Sequence, residues 1–141
     1  MNVEYLLDTK ILLYAISTDP AERPKKEIAR QIMTADNWGL SVQILQEFYV
    51  NATRQKGTIA NALMSLDAAA AAVEQFLFYP VVENTQSMLI EAMAIQRKFK
   101  ISYWDAAVIA AAHKIGAKIL YSEDLNHGQD YGGVRVVNPF L

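Results

Sequence analysis

The chain contains no cysteine. Disulfides, thiolate metal sites and cysteine nucleophiles are therefore excluded, and a reducing compartment is compatible. No apolar run approaches the roughly 18 residues needed to span a membrane. The first residues lack the basic start and small-residue cleavage site of a secretory signal, so the expectation is a cytoplasmic protein with no membrane association. Net charge is also small: 13 basic residues against 15 acidic ones give −2. That balance does not advertise a nucleic-acid binder, yet it leaves room for a local basic rim. Several common catalytic signatures are missing as well. There is no glycine-rich phosphate loop, no Gly-x-Ser-x-Gly elbow and no His-Glu-x-x-His.

What remains is an ordinary globular composition, with 52% hydrophobic and 20% charged residues over 141 positions. A single domain, 1–141, is expected, long enough to bury a core without cross-links. Val3 to Leu7 reads as a buried strand, Ile11 to Ile16 as a helix, and the Pro-, Ser- and Asp-containing stretch 17–24 as a loop. Lys25 to Ala35 carries a helical stripe, Trp38 to Ser41 a short strand, and Ser41 caps a helix running to about Arg54 and ended by Gly57. Asn61 to Phe78 is alanine-rich and helix-favouring, with one break. Val81 and Val82 suggest a strand, and Thr85 to Phe99 a helix. A buried helix follows from Ser102 through Lys114, closed by Gly116. Lys118 to Ser122 and Val134 to Val137 are strands, with Gly128, Gly132 and Gly133 in the loop between. Strands alternating with helices predict an α/β fold with a mainly parallel sheet.

Against this frame four acids stand out. Asp8 follows the first strand, and Asp124 follows the 118–122 strand with Glu123 between. Both fall at carboxyl ends of strands, where parallel sheets place their sites. Asp105 lies in the first turn of the buried helix, and Glu47 interrupts Ile44, Leu45, Phe48 and Tyr49. Clustered carboxylates repel unless protons or a cation neutralise them. The simplest neutraliser is a hard divalent ion with oxygen ligands, such as Mg²⁺.

Each acid also has a purely structural reading. Asp8 caps the following helix, and Asp105 completes a Ser-x-x-Asp box with Ser102. Glu47 belongs to a polar helix face, and Asp124 to a solvated loop. Among the remaining polar and aromatic residues, His113 reads as packed or terminal. His127 reads as a loop residue within reach of a phosphate, and Trp104 as core. Arg54 and Lys56, the group Arg97, Lys98 and Lys100, and the group Arg23, Lys25, Lys26 and Arg30 are candidates for a basic rim.

The order and spacing of these segments resemble the PIN-domain ribonucleases, and specifically the VapC-like toxins of toxin–antitoxin pairs. The resemblance rests on Leu7-Asp8-Thr9, Gln46-Glu47-Phe48-Tyr49, Ser102-Tyr103-Trp104-Asp105-Ala106 and the run Leu120 to Gly128 followed by Val137-Asn138-Pro139-Phe140. It covers nearly the whole chain. It implies a PIN-like three-layer α/β/α sandwich and a quartet of Asp8, Glu47, Asp105 and Asp124 holding Mg²⁺ or Mn²⁺. Asn126 falls where a further acid is common. Thr9 and Ser122 are expected to support the ligands through their hydroxyls, and Lys10, Arg54, Lys56 and His127 to meet RNA. The implied activity is metal-assisted attack of water on an RNA phosphodiester, with the ion lowering the water's pKa and offsetting charge on the phosphate. The implied partners are RNA, a cognate antitoxin and a second copy of the chain.

One position departs from the family pattern. Asn usually stands two residues after the first Asp, and this chain has Lys10. That departure keeps a second reading open, a catalytically silent module that binds RNA or protein. A metal-dependent phosphatase is a weaker third reading, because that chemistry commonly needs a second Asp where Lys10 stands.

Overall fold

The computed structural model describes residues 3–54 and 62–141. The chain order is β1 (Tyr5–Leu7), α1 (Thr9–Ala15), a 3₁₀ turn (Pro20–Glu22), α2 (Arg23–Met33), β2 (Trp38–Ser41), α3 (Val42–Thr53), α4 (Leu66–Phe76), β3 (Val81–Val82), α5 (Gln86–Phe99), α6 (Tyr103–Ile115), β4 (Ile119–Tyr121), β5 (Asp130–Tyr131) and β6 (Val134–Val137).

The described strands form one sheet in the order β3-β2-β1-β4-β6-β5. β1 pairs in parallel with both β2 and β4, β2 with β3, and β4 with β6, while β5 runs antiparallel to β6. The result is a three-layer α/β/α sandwich with a mainly parallel central sheet, as expected. α1 packs on α2 and α3, and α3 on α4. α5 pairs extensively with α6, which lies across β1, β2, β3, β4 and β6.

Local chemistry explains most element boundaries. Ser41, Ser65, Thr85 and Ser102 each accept a hydrogen bond from the backbone N–H three residues on, capping α3, α4, α5 and α6. Gly116 ends α6 at φ 81°, in the left-handed region where glycine is unstrained. The central strands bury Leu6, Leu7, Leu40 and Leu120, against which Ile11, Ile44, Phe48 and Ile109 pack with no exposure. Ala106 and the segment from Val108 to Ala112 are buried, as an all-apolar helix requires.

Four differences from the sequence expectation have physical causes. α1 starts two residues early, at Thr9, because Asp8 itself caps it. α2 starts at Arg23, inside the expected loop, because a proline in the first helical turn loses no hydrogen bond. α4 begins at Leu66 behind Ser65; the earlier expected start at Asn61, the Gly57 stop and Lys56 lie outside the described residues. The glycine-rich connection before β6 contains a strand of its own, β5. Gly132 and Gly133, at φ 68° and 103°, close a tight hairpin between β5 and β6. A two-residue strand carries no periodicity by which it could be recognised.

Candidate active site

Parallel pairing of β1 with β4 sets Leu7 beside Tyr121. The next residues out of the sheet, Asp8 and Ser122, are therefore neighbours at its carboxyl edge. Asp8 N–H still donates to Tyr121 O at 3.0 Å, and Ser122 N–H to Val137 O at 3.1 Å. Beyond them the chain turns into α1 on one side and into the Glu123–Asp124 loop on the other. α3 passes the same edge and presents Gln43, Glu47 and Asn51 at i, i+4 and i+8, a single helical face. The first turn of α6 adds Asp105.

Asp8, Glu47, Asp105 and Asp124 thus line one cleft of about 230 Å³, together with Thr9, Lys10, Gln43, Asn51 and Trp104. Four sequence-remote acids share one opening. Burial decreases outward: Asp8 is buried, Glu47 and Asp105 are half-buried, and Asp124 is exposed.

Three of the four carboxylates, those of Asp8, Glu47 and Asp124, are held by donors of the chain. Asp8 Oδ1 accepts from Thr9 N–H and Oδ2 from Ser122 Oγ, both at 2.8 Å. Glu47 Oε2 accepts from Thr9 Oγ1 at 2.8 Å, and Oε1 from Gln43 Nε2 at 3.0 Å. The same Gln43 amide donates to Trp104 O at 3.4 Å, tying α3 to the start of α6. Ser122 Oγ in turn accepts from Asp124 N–H at 3.2 Å. Asp124 Oδ1 accepts from Lys10 Nζ at 2.7 Å.

The electrostatics are uneven. Burial pushes the Asp8 carboxyl up from 3.8 to about 6, against the hydrogen bonds from Ser122 and Thr9, with the Asp124 and Glu47 charges adding to the rise. Among the described residues every ion pair involves Glu123 or Asp124, so no cationic side chain reaches Asp8, Glu47 or Asp105. Lys10 is held above the usual lysine range by its hydrogen bond to Asp124. Glu123 is desolvated, which alone would raise it. Lys25 at 2.5 Å and the Tyr14 hydroxyl at 2.6 Å outweigh that effect and leave it lowered.

Among the described residues no three His, Cys, Asp or Glu side chains are arranged to hold a metal ion as they stand. Like charges separate when nothing lies between them, and here Asp8, Glu47 and Asp124 have each turned to a donor of the chain instead. The donor set nevertheless suits a hard cation: it is all oxygen, and it includes a buried carboxylate, Asp8, whose pKa is raised chiefly by its burial. Asp8, Glu47, Asp105 and Asp124 are the residues that would hold such an ion.

The remaining expected site residues separate into two groups. Thr9, Ser122 and Lys10 are at the cleft. Asn126 turns away, its amide donating to Gln129 Oε1 at 3.0 Å, and His127 Nδ1 accepts from Asn138 N–H at 3.0 Å in its own loop. Arg54 is exposed at the end of α3 and does not line the cleft. His113 is packed, its Nε2 lying 2.9 Å from Tyr131 O. Trp104 corrects the expectation of a core residue: it is 64% exposed at the cleft rim, because the first turn of α6 projects past the sheet edge. Gln43 and Asn51 escaped the sequence reading. Their four-residue spacing about Glu47 was the available signal.

Fold and site together define an α/β domain with an acidic cleft at the carboxyl edge of a parallel sheet. The PIN domain family model matches residues 5–129, and the chain belongs to that family. No curated protein matches it. Solved structures with the same fold include a toxin–antitoxin complex from Klebsiella pneumoniae (TM-score 0.68, 19% identity, 96% of this chain and 98% of that one). Another is VapC20 from Mycobacterium tuberculosis, described as a toxin that cleaves the sarcin–ricin loop (0.67, 19%, 95% and 99%). A third is DNA-bound VapBC from Salmonella typhimurium (0.65, 16%, 95% and 96%).

Proposed function

We propose that this chain is a Mg²⁺-dependent endoribonuclease and the toxin of a toxin–antitoxin pair, acting in the cytoplasm as a homodimer and restrained by a cognate antitoxin. The observation that carries the reading is the convergence of Asp8, Glu47, Asp105 and Asp124 on one cleft from β1, α3, α6 and the loop after β4. Three of the four lack a cationic partner among the described residues. The neighbouring folds named as toxins and as toxin–antitoxin complexes support the biological role.

A divalent ion in such a cleft supplies an acidified water and offsets charge on the phosphodiester. The chain's own residues supply placement. Thr9 and Gln43 fix both oxygens of Glu47, and Ser122 and Thr9 fix both oxygens of Asp8. Ser122 also holds the Asp124 backbone, so one hydroxyl couples two of the acids. No helix among the described residues is long and apolar enough to cross a membrane.

The test is cleavage of total RNA by the purified chain with Mg²⁺ and with excess chelator, beside Asp8→Asn and Asp105→Asn. Metal-dependent cleavage by the parent, lost in both folded variants, is expected. Cleavage retained in both would reject the assignment. The Lys10–Asp124 pair favours one rival, a catalytically silent binding module. A folded parent that leaves RNA intact at every metal concentration would select it.

A further inference from the structure

Lys10 sits where a lysine has little local reason to be. It occupies the second position of α1, in the first turn, where the helix dipole disfavours a cation. Its ammonium is nevertheless fixed by Asp124 at 2.7 Å and lies 3.7 Å from Glu123. Glu123 already has its own partners, Lys25 at 2.5 Å and the Tyr14 hydroxyl at 2.6 Å. The charge of Lys10 is therefore directed chiefly at Asp124, one of the four acids of the cleft.

Charge counting gives this pairing a consequence. Four carboxylates with no internal cation are neutralised by two divalent ions. With one ammonium among them three negative charges remain. One divalent ion then leaves a small negative balance, and a second would overshoot while also having to displace Lys10 from Asp124.

We propose that the Lys10 ammonium stands in for a second cation, holding Asp124 and limiting the cleft to a single divalent ion on the Asp8, Glu47 and Asp105 side. This rests on the metal-dependent reading above. It makes Lys10 a positioning residue that sets metal stoichiometry. The pair is solvent-exposed on both sides, 46% for each side chain, so the fold does not depend on it.

The experiment is Mn²⁺ titration of the full chain, read by calorimetry and by the electron paramagnetic resonance signal of free Mn²⁺. Parent, Lys10→Met and Lys10→Arg are compared, with thermal melts confirming that each is folded. Lys10→Met keeps the aliphatic stem and removes the charge, whereas Lys10→Arg keeps the charge. The expected stoichiometries are one ion for the parent, two for Lys10→Met and one for Lys10→Arg. Equal stoichiometry in parent and Lys10→Met overturns the role of Lys10 while leaving the metal site intact. So does a second ion in Lys10→Arg. Absence of binding in all three at millimolar Mn²⁺ overturns the metal reading of the cleft itself. Should Lys10→Met fail to fold, Lys10→Asn provides the same charge removal and the same criterion.

Discussion

The Ser122 hydroxyl donates a 2.8 Å hydrogen bond to Asp8 Oδ2 across a separation of 114 residues. Both side chains are buried, and the same hydroxyl accepts from the Asp124 backbone at 3.2 Å. Ser122→Ala removes both contacts and leaves a buried carboxylate oxygen short of a donor, at a cost of about 1–3 kcal/mol. Because that hydrogen bond favours the ionised carboxyl, the Asp8 pKa rises above its value of about 6 in the parent. Carbon-detected NMR titration of the metal-free proteins checks this. An unchanged Asp8 titration would show that Ser122 does not tune it.

Asp8→Asn is expected to stabilise the metal-free fold at neutral pH while abolishing RNA cleavage. The carboxyl rises from 3.8 to about 6 on folding, so the native state binds its proton more tightly than the unfolded chain does. The parent is therefore progressively penalised as pH climbs from about 4 to about 6, by roughly 3 kcal/mol in all, and the penalty is constant above that. Urea denaturation from pH 4 to 8 should show Asp8→Asn gaining on the parent through that window and then keeping a constant lead. A variant less stable than the parent at pH 7.5 would refute the uncompensated-charge account.

Thr9→Val deletes the hydroxyl that fixes Glu47 Oε2 and keeps the side-chain volume. Groups that orient a metal-ligating carboxylate typically contribute 10–100-fold in activity or metal affinity. A loss of at least about tenfold in cleavage is expected, with Thr9→Ser restoring most of it. Full activity in Thr9→Val would show that Gln43 alone positions Glu47.

Trp104→Ala should cost less than about 1 kcal/mol in stability, since most of the indole is already in water. Phe48→Ala, at a residue with no exposure, should cost about 3–5 kcal/mol. Chemical denaturation of the two variants makes the comparison. Equal losses would return Trp104 to the core.

Trp104 also shows where sequence reading stops. The starts of α3, α5 and α6 were legible because a cap is local: Ser41, Thr85 and Ser102 each reach only three residues ahead. The strand at Trp38 to Ser41 was legible because a short apolar run between polar breaks has few other fates. Whether Trp104 faces the core depends on how far α6 projects past the sheet, which no local pattern encodes. β5 was invisible because it exists only by pairing with β6 across Gly132 and Gly133. At the site, residue types marked Asp8, Glu47, Asp105 and Asp124, but the partners that hold them are long-range. The contacts of Lys10 with Asp124 and of Thr9 with Glu47 depend on the packing of α1 against α3 and on the β1–β4 register. The outward turn of Asn126 likewise follows from its loop contact with Gln129.

The central claim is that the cleft where carboxylates from four remote segments meet binds a divalent cation. Anomalous diffraction from a crystal of the full chain grown with Mn²⁺ tests it most directly. The account predicts an anomalous peak in the cleft between Asp8 and Asp105, with oxygen atoms of both within ligating distance. A fully ordered cleft without a peak at millimolar Mn²⁺, or manganese bound only elsewhere on the surface, would contradict it.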